Sequence, residues 1–256
     1  MKENVPFKKI LLALASTLTP FFTFQVTAGE CATGTAPSAG CTITADDTTY
    51  TMTGNIAASS SYGINFISGS DNNVLTHTGN ISTSGSSLHA LYLGTSDSNT
   101  TTINGNISTS GSLSAYGLVL ENSDSNTSTL TGNISTSGNY ARGLFLYNSD
   151  SNTTTINGNI STSGVESIGL YLQNHNNNII TINGNISTSG ATAYGFFIDS
   201  SSGNSITNLG TISTSGRGTY GVYMNSGTLA TLNNKQSGLT YYGKVPTNYN
   251  IIIRGD

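Results

Sequence analysis

The sequence predicts an all-β chain wound as a parallel β-helix of about seven coils, each near 26 residues and built from three short strands. Three observations carry that expectation. The string GNISTSG recurs at Gly79, Gly105, Gly132, Gly158 and Gly184, with degenerate copies GNIAASS from Gly54 and GTISTSG from Gly210. Successive starting glycines are 25, 26, 27, 26, 26 and 26 residues apart, which is the spacing of a solenoid repeat. Within each unit the apolar residues alternate with a period of 2, the mark of strands. Only 8% of the 256 residues are charged, against roughly 25% in an average soluble domain, so Ser, Thr and Asn must supply the polar surface.

Residues 1–28 have the layout of a secretory signal peptide. Lys2, Lys8 and Lys9 precede the apolar stretch ILLALASTLTPFFTF, and the small-residue site Val26-Thr27-Ala28 stands before Gly29. The apolar run is broken by Ser16, Thr17, Thr19 and Pro20 and is shorter than the ~20 residues a spanning helix needs. Residues 29–50 then read as an N-terminal cap. Cys31 and Cys41 are the only cysteines, and an even pair in an exported chain predicts a disulfide. Closing this short loop contributes roughly 2–3 kcal/mol in the chain-entropy model.

The β-helix repeats span residues 51–236, followed by a tail at 237–256. In each unit GNISTSG gives a first strand, a variable turn follows, and a second strand such as YGLVLENS carries two apolar columns. These are Ile64/Phe66, Leu91/Leu93, Leu118/Leu120, Leu144/Leu146, Leu170/Leu172, Phe196/Ile198 and Val222/Met224. A polar turn such as SDSN leads to a third strand with Ile103, Leu130, Ile156 and Ile182 two places before the next glycine. Isoleucines 56, 81, 107, 134, 160, 186 and 212 form the column two places after it. No single unit can enclose a core, but stacked coils at about 4.8 Å bury a continuous one along a rod on the order of 30 Å long.

The bends suit this winding. Gly and Asn tolerate left-handed backbone, and Asn55, Asn80, Asn106, Asn133, Asn159 and Asn185 are placed to form an amide ladder. The SDSN turns are expected to close through local Asp and Asn hydrogen bonds. Calcium at Asp97, Asp124 and Asp150 is a poor match, because one carboxylate per loop is little for a cation that takes 6–8 oxygens.

With the leucines inward, Tyr92, Phe145, Tyr171, Phe197 and Tyr223 point outward, interrupted by Val119, and form the candidate surface binding stripe. Beside it Gly63, Gly117, Gly143, Gly169, Gly195 and Gly221, with Ala90, read as a second outward column. The varied set Tyr62, His89, Tyr116, Arg142, Ile168, Tyr194 and Tyr220 reads as a solvent edge. Alternate threonines at Thr100/Thr102, Thr127/Thr129 and Thr153/Thr155 resemble the arrays of ice-binding solenoids over three coils, with Ile179 and Thr181 breaking the pattern.

From Gly29 onward there are five basic and eleven acidic residues, a balance that argues against a nucleic-acid partner. No repeated pair of carboxylates suits glycoside chemistry, and His77, His89 and His175 fall at unrelated repeat positions. The expectation is therefore a protein without catalysis, cofactor or metal, with a carbohydrate-active β-helix enzyme as the alternative and an ice-binding β-solenoid as a further one.

The final coil NLGTISTSGRGTYGVYMNSGTLATLNN and the tail GLTYYGKVPTNYNIIIRGD resemble the passenger regions of bacterial autotransporters. The resemblance covers about residues 50–256. It implies export, display on the bacterial cell surface or release, and adhesive binding to a glycan or protein on a host or neighbouring cell. It also implies a translocating outer-membrane barrel after the passenger. The sequence stops at Asp256 without one, which suggests a fragment. The terminal Arg254-Gly255-Asp256 spells an integrin-binding tripeptide, and at such an ending coincidence is the simpler reading.

Overall fold

The structure, a computed structural model, describes residues 28–234, 241–243 and 251–253. The signal peptide lies outside the described residues except for Ala28, as do Lys235, Lys244 and the Arg254-Gly255-Asp256 tripeptide.

The described chain is all-β and forms a β-solenoid of about seven turns with three parallel sheets. Each full coil contributes one strand to each sheet, as Thr127–Thr131, Ile134–Thr136 and Arg142–Tyr147 do in the middle of the rod. The first belongs to a ten-stranded sheet that we call the threonine sheet. The second lies in a seven-stranded serine sheet and the third in a ten-stranded aromatic sheet. The registers are those of the repeat: Ile134 pairs with Ile107 and Ile160, and Leu144 with Leu118 and Leu170. The cap is part of the same winding. Gly29–Glu30 and Cys41–Ile43 begin the aromatic sheet, Gly34–Thr35 begins the threonine sheet, and a disulfide joins Cys31 to Cys41. Tyr241–Gly243 and Ile251–Ile253 of the tail extend the same two sheets.

The core is the line of predicted columns. Every isoleucine of the serine sheet is buried, as are the paired leucines of the aromatic sheet and Ile103, Leu130, Ile156 and Ile182 of the threonine sheet. Each such side chain contributes about 1.5–3 kcal/mol of burial. The column that holds Ile103 also contains His77, wholly buried with neither ring nitrogen hydrogen-bonded.

The corners are held between coils. The backbone N–H of Asn133 donates to Asn106 Oδ1 at 2.9 Å, and the ladder runs from Asn55 through Asn185 to Thr211. A Cβ on Gly158 would sit 2.0 Å from the Gly132 carbonyl oxygen, so the coils close only with glycine at this bend. The SDSN turn has a local bond of the expected kind, Asn126 Nδ2 donating to the Asp124 carbonyl at 3.1 Å, and is also held between coils. Asp124 N–H donates to Asp97 Oδ1 and Asp150 N–H to Asp124 Oδ1, both at 2.7 Å, so the aspartates link coils. The turn asparagines are buried and link coils too, Asn126 N–H reaching Asn152 Oδ1 at 2.8 Å. Coil spacing explains this: an Asp or Asn side chain at a stacked bend finds its nearest unpaired N–H in the coil above or below, about 4.8 Å away.

The glycine column at Gly63, Gly117, Gly143, Gly169, Gly195 and Gly221 is buried rather than outward, which corrects the expectation. It lies at the start of the aromatic-sheet strands, next to the serine sheet, and at Gly63, Gly117, Gly143, Gly169 and Gly195 an isoleucine methyl of the next coil fills the space a side chain would need.

Candidate functional site

The outer face of the aromatic sheet carries two adjacent columns of rings. Tyr92, Phe145, Tyr171, Phe197 and Tyr223 lie in the expected register, with Val119 between the first two. They are less open than a free stripe. Phe145 stacks on Tyr171 at 5.1 Å between centroids, Tyr171 meets Phe197 edge-on at 4.8 Å, and Tyr171 is only 8% exposed. Val119 is buried.

The cause is the neighbouring column, which is not the solvent edge it resembles in sequence. Tyr62, His89 and Tyr116 stack at 5.0 and 4.6 Å, and Tyr194 stacks on Tyr220 at 5.9 Å. The two columns touch through Tyr62 and Tyr92, Tyr116 and Phe145, and Tyr194 and Tyr223. Mixed Tyr, His and Arg at one repeat position hides this in the sequence, because each buries a planar apolar body and keeps a polar tip in water. His89 shows the effect. Its Nδ1 accepts the Tyr116 N–H at 3.1 Å, and burial, aided by the Arg142 charge, pushes its pKa down to about 4.

Arg142 sits among rings. Its guanidinium carbon is 4.8, 4.9 and 4.5 Å from the centroids of Tyr116, Phe145 and Tyr171, within cation–π range. It donates to the Tyr116 hydroxyl and, at 3.1 Å, to the Tyr140 carbonyl oxygen. The next coil has Ile168 in register with Arg142, and the coil after it has Tyr194. One short aliphatic side chain among rings leaves an open pocket of about 420 Å³, lined by Tyr140, Arg142, Glu166, Ile168, Tyr171, Thr192, Tyr194 and Phe197. Of these only Glu166 carries a carboxylate. The stripe thus supplies Tyr171 and Phe197 to the pocket, while Phe145 supports Arg142 and Tyr92 and Tyr223 lie along the face to either side. Tyr92 donates its hydroxyl to Glu121 at 2.7 Å, and burial with that bond raises its pKa. The signal for the pocket, Ile168 in a column otherwise of Tyr, His and Arg, is present in the sequence; only the packing shows that the column faces the stripe.

The threonine sheet offers a different surface. Its middle outward column is Thr51, Thr76, Thr102, Thr129, Thr155, Thr181 and Thr207, unbroken over seven coils. Thr181 continues the array instead of breaking it. The column beside it, from Thr49 through Thr100, Thr127 and Thr153, is interrupted by Val74 and Ile179.

Among the described residues no group of three or more His, Cys, Asp or Glu is placed to hold a metal ion, and no helix is long and apolar enough to cross a membrane. The fold and this surface define a parallel β-solenoid with one ring-lined face. No family model, no curated protein and no solved structure matches the chain.

Proposed function

We propose that this chain is an exported passenger of autotransporter type, displayed on the bacterial cell surface or released, that binds a glycan or protein of another cell through the aromatic face of the rod. The observation that supports binding is the pocket over Ile168, where aromatic faces, a guanidinium and a carboxylate converge. Such convergence of apolar walls with few polar groups is the usual form of a ligand site. The amino-terminal sequence and the repeats support export and display. The reading is of binding without turnover, since a single carboxylate lacks the partner that glycoside hydrolysis requires.

The test is adhesion of the purified chain to immobilised glycans and to cells. Replacing Phe197 and Tyr194 with Ser should reduce retention at least tenfold while the far-ultraviolet β signal persists. Retention equal to that of the unmodified chain removes the aromatic face from the account.

A second reading is favoured by the threonine column alone. Seven hydroxyl and methyl pairs at about 4.8 Å intervals form a regular array suited to ordering water on an ice surface. Thermal hysteresis that disappears in Thr129→Tyr, with glycan adhesion absent, would support it in place of the first.

A further inference from the structure

We propose that the pocket over Ile168 seats a carboxylate-bearing sugar ring, with Arg142 as the anion partner. This rests on the reading of the aromatic face as a glycan-binding surface and names the class of sugar. Arg142 and Tyr194 are two coils apart, with Ile168 between them in register. Two coil spacings are about 9.6 Å, so the place a Tyr at position 168 would fill is a slot one ring thick. A pyranose fits there, with its C–H faces turned to the electron-rich faces of the aromatic rings.

Charge then selects the sugar. A guanidinium has five N–H donors, and those of Arg142 meet one hydroxyl and one carbonyl oxygen. Both bonds come from Nη1, none comes from Nη2, and no carboxylate among the described residues forms an ion pair with the guanidinium. A partly buried cation of this kind is incomplete, and a planar carboxylate matches its fork.

Tyr140, Glu166 and Thr192 hold left-handed backbone at φ 57°, 52° and 51°. The equivalent residues in other coils are Ser87, Ser114 and Gly218, so at this repeat position the large or branched residues fall in the three coils that line the pocket. Exposed Glu166 lines the same pocket and can accept hydrogen bonds from sugar hydroxyls.

Titration of the purified chain with methyl glucuronide, methyl glucoside, N-acetylneuraminic acid, sodium acetate and a glutamate-containing peptide tests this. The carboxylated sugars should bind at least about tenfold more tightly than the glucoside, as a charge-assisted bond implies. Added salt should weaken the glucuronide and leave the glucoside unchanged. Arg142→Gln should bring the glucuronide to the level of the glucoside, with Arg142→Lys between them. Equal, salt-independent binding of glucuronide and glucoside overturns the anion site and leaves the aromatic-face reading standing. Acetate or peptide binding as tightly as glucuronide overturns the sugar class. Binding of none of the sugars overturns the sugar site and leaves the aromatic face to the adhesion test of the Phe197 and Tyr194 variant, and the salt series on the unmodified chain decides the matter even if the Arg142 variants fail to fold.

Discussion

The Cγ2 methyl of Ile160 lies 2.3 Å from the point where a Cβ on Gly143 would stand. This contact joins the serine and aromatic sheets, and it recurs between Gly169 and Ile186 and between Gly195 and Ile212. Gly143→Ala should therefore destabilise the rod by about 1–3 kcal/mol through overpacking. A urea midpoint unchanged from the parent would show that the corner yields without cost.

His77 stands in the core column between Met52 and Ile103 with both ring nitrogens unpaired. His77→Leu removes two unsatisfied polar atoms and keeps an apolar volume close to that of its neighbours. The expected gain is about 1–3 kcal/mol, read as a higher melting temperature. A loss of stability would mean that the ring has a partner.

Acid should weaken the fold through the same residue and two others. Burial lowers the pKa of His77, and it lowers those of His89 and His175 to about 4. Below pH 6.5 the unfolded chain takes up protons that the folded one refuses, so stability falls from pH 6.5 toward about 4. The loss is on the order of 2–3 kcal/mol for each strongly lowered histidine. Melting temperature measured against pH should show the decline, and His175→Asn should flatten it. A profile that is level from pH 7 to about 4 contradicts burial of neutral imidazoles.

The two asparagine ladders should respond unequally. Asn126 is buried; its Nδ2 donates to the Ser96 carbonyl at 2.9 Å and its Oδ1 accepts the Asn99 N–H at 2.8 Å. Asn126→Ala orphans those groups away from water and should cost about 2–4 kcal/mol. Asn133→Ala acts at an exposed corner where water replaces the amide, and should cost less than about 1 kcal/mol. Equal unfolding midpoints for the two variants would refute this distinction.

Thr192→Gly should relieve a left-handed backbone penalty of about 1–2 kcal/mol, partly offset by about 0.5–1 kcal/mol of glycine entropy. The expected net gain is near 0.5–1 kcal/mol in chemical denaturation. A drop in stability would mean that the Thr192 side chain contributes packing beyond its strain.

The columns were readable because a period of 2 and a repeat near 26 fix which side chains stack. Ile134, Leu144 and Leu130 needed no further information. What lay between strands was less legible, since a bend resets which way a side chain points. Gly143 reads as outward from strand alternation alone, although its strand is irregular at its start, the register passing from Arg142 to Leu144 without it, and it turns inward. His89 and Arg142 look like surface residues for the same reason, and the pocket over Ile168 follows only once their column is seen beside Tyr171. The threonine array reads as short because Ile179 interrupts one column, while Thr181 belongs to the other.

The hydrogen bonds at the corners also give the rod a direction. At the exposed bends a later coil donates its N–H to an earlier Asn or Asp oxygen, as Asn159 does to Asn133 and Asp124 to Asp97. At the buried bends the sense is reversed, and Asn99 donates forward to Asn126. A cross-section anywhere along the stack thus presents acceptors and donors on one side and their complements on the other. Two copies meeting end to end could continue both sets only head to tail, so filament growth would be polar and symmetric end-to-end pairing would leave like groups facing each other.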